Sequence, residues 1–99
     1  MSLVIARPEI VAGVAAELQS INAVARSGNE LAAVPTTAVV PAAADRVSVL
    51  TAAQFAAHAR LYQLISAQAA AVQDELATTL AVSAGSYADT EAANAATIA

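Results

Sequence analysis

The chain is 99 residues long, enough for one domain at the lower limit of what buries a core by itself. It is 59% hydrophobic but 3% aromatic, carries a formal net charge of −4, and contains neither Cys nor Lys. That excludes disulfide frameworks and thiolate metal sites, and it leaves no basic patch to neutralise phosphates, so nucleic acid is not an expected partner.

Much of the apolar count is alanine, the strongest helix former, and Gly and Pro number three each. The reading is all-α. A transmembrane reading fails because no window of about twenty residues is apolar and free of Pro and charge. The best run, Leu61 to Val72, carries Gln63, Ser66 and Gln68. Ahead of it, Met1 to Arg7 lacks the basic segment and long apolar run of a cleavable secretory signal.

Helix one is expected over 8–33. Pro8 suits the first helical position and Glu9 the positive end of the helix dipole. Val11, Val14, Leu18, Ile21, Ala25, Gly28 and Ala32 recur at spacings of three and four, a stripe that should face another helix. Glu17, Gln19, Asn22, Arg26 and Asn29 fall off it. The stretch 34–44, bracketed by Pro35 and Pro41, reads as a loop joining antiparallel neighbours.

Helix two is expected over 45–82, capped by Asp45. It carries two apolar stripes. One holds Val47, Leu50, Ala57, Leu61, Leu64 and Ala71; the other holds Phe55, Tyr62, Ile65, Ala69, Val72, Leu76 and Leu80, with His58 inside it. A third face has Arg60, Gln63 and Asp74 among alanines. A lone hairpin buries one stripe per helix, so one stripe of helix two stays in water and marks an interaction surface. Two further helices from a partner would complete a four-helix bundle. Gly85 is expected to end helix two, leaving 83–99 as a weakly helical tail.

No catalytic constellation appears. There is one histidine, the acids are scattered, and no phosphate loop or nucleophile motif is present. The chain is therefore read as non-enzymatic, with no cofactor, metal or small-molecule substrate. In the tail, Tyr87 and Glu91 are four residues apart and share a face if the segment is helical.

The start Met-Ser-Leu-Val-Ile-Ala-Arg-Pro8-Glu9 resembles that of the mycobacterial PE proteins. So do Val34 to Asp45, Leu50 to His58, and Gly85 to Asn94, so that the likeness covers essentially the whole chain. The resemblance implies a single domain, an antiparallel hairpin pairing with a PPE-family protein, and export of the pair by a type VII (ESX) secretion system. It implies that Tyr87 and Glu91 form the export signal, Tyr-x-x-x-Glu, and that a cytosolic secretion chaperone holds the complex through the PPE subunit. The pair would be cytoplasmic before export and secreted or surface-bound, virulence-associated, afterwards. Residues expected to carry helix and partner packing are Val14, Leu18, Ile21, Leu50, Phe55, Tyr62, Ile65, Val72 and Leu76. Leu3 stands where a Phe is frequent and Arg46 where an acid is frequent. Within these residues no Gly-rich or hydrolase segment follows the hairpin, so enzymatic activities of longer members are not carried over. The alternatives are a homodimeric four-helix bundle and a surface- or membrane-associated helix pair.

Overall fold

The structure is a computed structural model that describes residues 6–98; Leu3, with the rest of the start up to Ile5, lies outside the described residues. Two helices make up the fold: α1 (Pro8–Thr37) and α2 (Arg46–Ile98). They form a helical hairpin whose cross-helix hydrogen bonds run antiparallel. The Asn22 amide donates to Asp74 Oδ1 at 2.7 Å in one place, and Tyr62 donates to Asn29 in another.

Each helix starts as its sequence dictates. The Arg7 carbonyl accepts from the N–H groups of Ile10 and Val11, which leaves Pro8 where no amide donor is needed. Asp45 caps α2, accepting from the Ser48 N–H at 2.9 Å and the Ser48 hydroxyl at 2.8 Å.

The helix ends depart from expectation. α1 does not stop at residue 33 but passes through Pro35 to Thr37, and the connection shrinks to 38–45. A proline in the last turn removes one amide bond only, and the hydroxyls of Thr36 and Thr37 donate to the carbonyls of Ala32 and Ala33, each at 2.6 Å. Nor does α2 end near Val82. It continues through Gly85 to Ile98, with no positive-φ glycine among the described residues. One helical glycine costs about 1 kcal/mol, and the flanking alanines outweigh it.

The chain divides into two compact units. One pairs residues up to Asn22 with those from Val72 on, and the other is Ala23–Ala71. In each unit α1 lies against α2 along a seam of small side chains. On α2 the seam runs through Ala52, Ala56, Ala59, Gln63, Ser66 and Ala70 in one unit, and through Ala77 and Ala84 in the other, at heptad spacing. On α1 it runs through Asn29 and Ala33 in the unit of Ala52 to Ala70, and through Val11, Ala15, Leu18 and Asn22 in the unit of Ala77 and Ala84. Among the described residues every buried apolar side chain is an alanine, Ala77 completely so.

This corrects the sequence reading of the faces. The face of α2 that holds Gln63 among alanines is the one that meets α1, and both large apolar stripes stay exposed except at Leu80, which is half-buried. On α1 only Val11, Leu18 and Ala32 of the expected stripe are half-buried, while Val14, Ile21, Ala25 and Gly28 are exposed. Asn22 and Asn29, read as off the stripe, sit in the seam. Small residues let two helix axes approach closely, and a polar side chain that finds a partner across the seam loses little by burial.

Candidate interaction surface and C-terminal signal

The exposed stripes lie about a third of a turn round from the seam on each helix, counted at 100° per residue in the same rotational sense. Because the helices run antiparallel, equal rotations carry both stripes to the same side of the hairpin. In the first unit that side holds Ile10, Val14 and Ile21 of α1 with Val72, Leu76 and Tyr87 of α2, all exposed. In the second it holds Phe55, Tyr62 and Ile65 of α2, Ile65 56% exposed, while Leu31 and Leu61, each two residues from seam positions, are exposed on the faces turned away from the seam. Leu50 is exposed, and Leu18 alone of the expected packing residues is half-buried. The opposite side carries Arg60 and Asp89, with Val34 and Leu64 also exposed there.

Within the second unit the open side is indented. Pro35, Thr36 and Ala32 of α1 and Phe55, His58 and Tyr62 of α2 enclose a half-open cavity of about 290 Å³. Its wall is braced by Asn29, whose side-chain oxygen accepts from the Tyr62 hydroxyl at 2.8 Å and whose carbonyl accepts from Gln63 Nε2 at 3.0 Å. Sequence reasoning missed Asn22 and Asn29 as cross-helix anchors. The signal was present in their separation of one heptad, the spacing that keeps two side chains on one seam.

At the other end, Tyr87 stands 51% exposed on helical backbone, with Glu91 exposed one turn further on, as their spacing required. Glu91 shares the lining of an open groove with Pro8 and Glu9, on a floor of Ala81, Ala84, Gly85 and Ala88. The structure therefore brings the opening Pro-Glu pair and the tail acid to one place. Arg46, at the first turn of α2, is exposed, so its charge meets water rather than a neighbour.

The Ser48 N–H, then the Ser48 hydroxyl, hold the Asp45 carboxyl below its ordinary value of 3.8. Among the described residues no three His, Cys, Asp or Glu side chains are grouped to hold a metal ion, and no helix is long and apolar enough to cross a membrane.

The described residues thus define a two-helix hairpin with an alanine-lined seam and exposed apolar stripes. The PE family profile matches residues 4–94. The chain is 60% identical to PE family protein PE13 of Mycobacterium tuberculosis over 97% of both chains. It is 50% identical to PE-PGRS family protein PE_PGRS8 over 99% of this chain and 56% of that protein. It is 47% identical to Esterase PE16 over 99% of this chain and 19% of that protein. This chain belongs to the PE family. It spans nearly all of PE13 and only part of the longer relatives, and the esterase name belongs to one of those.

Proposed function

We propose that the chain is a non-enzymatic PE subunit that completes its fold against a PPE-family protein, and that a type VII secretion system exports the pair by reading Tyr87 and Glu91. The observation that carries the pairing is uncovered area. A folded 9.8 kDa monomer exposes about 5,200 Å² by the usual scaling. This chain exposes 7503 Å². The surplus, roughly 2,300 Å², exceeds the approximately 800 Å² that each partner contributes to a standard interface.

The tail supports the export half of the reading. An exposed ring and an exposed carboxylate one turn apart on a continuous helix offer apolar contact and a charge-assisted hydrogen bond to one receptor surface. The secretion chaperone acts through the PPE subunit. The pair is cytoplasmic until export and secreted or surface-bound after it.

Co-expression with PPE-family proteins, followed by the secreted-to-cellular ratio of the pair, tests both halves. One PPE-family protein should render the chain soluble and monodisperse as a one-to-one complex. Tyr87→Ala and Glu91→Ala should leave that complex intact and lower export at least tenfold. Asp89→Ala, two residues from Tyr87 and on another helix face, should be exported like the parent. A stable symmetric homodimer indifferent to every PPE protein would refute the pairing, and normal export of both tail variants would refute the signal.

A further inference from the structure

We propose that the cavity between the end of α1 and the first half of α2 is a socket for one large apolar side chain, leucine, methionine or phenylalanine, carried on a helix of the PPE-family partner. The inference rests on the partner reading above and says where that partner is anchored.

Three observations carry it. The first is size. Pockets that take small organic ligands begin at about 300 Å³ and enclose most of the ligand. This one is about 290 Å³ and half-open, which suits a single side chain entering from above. The second is chemistry. Pro35, Ala32, Phe55 and Ala59 give it an apolar lining. Three of its four polar side chains spend their donors on the protein, Thr36 on the Ala32 carbonyl at 2.6 Å and Tyr62 and Gln63 on Asn29, and His58 is the fourth. A polar occupant would find those donors taken, whereas an apolar one leaves every bond in place. The third is position. Phe55 and Tyr62 wall the cavity and also belong to the exposed stripe, so whatever covers the stripe passes over the opening. Anchors that fill pockets within a larger contact area dominate interface energetics.

The α1 half of the socket comes from the stretch that continues the helix past its expected end. Had α1 stopped at residue 33, Pro35 and Thr36 would not stand on helical backbone opposite Phe55 and His58.

The test fills the cavity. Ala32→Leu is made in the chain co-expressed with the PPE-family protein that solubilises it, and the dissociation constant of the purified complex is measured. Ala53→Leu adds the same bulk at an exposed position on the far side of α2. Ala32→Leu should weaken the complex about tenfold or more, with Ala53→Leu staying within about twofold of the parent. Truncating one large apolar residue of the partner to alanine should restore binding to Ala32→Leu, which identifies the anchor. Should Ala32→Leu lose helicity by circular dichroism, Thr36→Leu, exposed and crowding the same opening, decides by the same measurement. Parent-like affinity of the filled variant overturns the socket. Ile65→Glu distinguishes the two levels. If it releases the partner while the filled variant binds normally, only the socket falls; if it too binds normally, the socket falls together with the face assigned to the partner, whereas the pairing itself falls only if no PPE-family protein binds the parent chain.

Discussion

Asp45 shows what one side chain contributes at a helix start. Its two bonds from Ser48 favour the ionised form, so its folded pKa lies below the ordinary 3.8. The cap's contribution is therefore complete above that value and is lost as pH falls through the lowered folded pKa. Asp45→Asn keeps an acceptor without the charge. In thermal unfolding of the complex, the parent's advantage over Asp45→Asn should be flat above about pH 5 and shrink below pH 3.8. A constant difference across that range would assign the cap to geometry alone. Ile65 makes the opposite kind of test. It is exposed in the hairpin, so Ile65→Glu should leave the lone chain's helicity unchanged, yet under a partner it leaves a carboxylate unpaired at a cost of several kcal/mol. Pull-down should fail for it and succeed for Arg60→Glu, which changes charge on the far side.

The elements were legible where chemistry is local and hidden where it is relational. Pro8 and Asp45 announced the two helix starts, and both stand where expected. The helix ends did not, because Pro35 and Gly85 are breakers only when nothing else holds the turn. Thr36 and Thr37 hold it in one case and an alanine-rich flank in the other. The seam was hidden for a different reason. Alanine fills seam positions such as Ala56 and Ala59 and also exposed ones such as Ala53, Ala57 and Ala67, so its periodicity carries no contrast. Leucine, isoleucine and phenylalanine supply the visible stripes, and they mark the outer surface. Gly85 itself gives a prediction. Nothing lies within 4 Å of a Cβ built there, so Gly85→Ala should add about 0.5–1 kcal/mol of helix stability. Tail amide exchange in the complex should slow by a factor of a few, and faster exchange would mean that the glycine has a role in bending α2.

For the molecule as a whole, the interior is too light to hold itself. A buried methyl group yields about 0.8 kcal/mol, and the described core is alanine with one asparagine. Ordering each residue's backbone costs about 1–2 kcal/mol. Helix propensity and cross-helix hydrogen bonds define the hairpin, and on the proposed pairing the partner supplies the cooperativity. Urea unfolding of the chain alone should be broad with a small m-value, and with its partner steep and dependent on complex concentration. A sharp transition from a monodisperse monomer would contradict this. The same lightness explains why the sequence disclosed apolar stripes before it disclosed a core.

The unbroken course of α2 past Gly85 sets the phase of the tail. Tyr87 and Glu91 are fixed in rotation about the axis relative to Val72 and Leu76, because every intervening residue adds the same angle. A receptor docking on the pair from a set direction reads not only which residues are present but which way the shaft is turned. One alanine inserted after Gly85 preserves the motif letter by letter and swings it by about 100°, whereas seven return it nearly to its original bearing. Export that fails with one and recovers with seven would make orientation part of the signal.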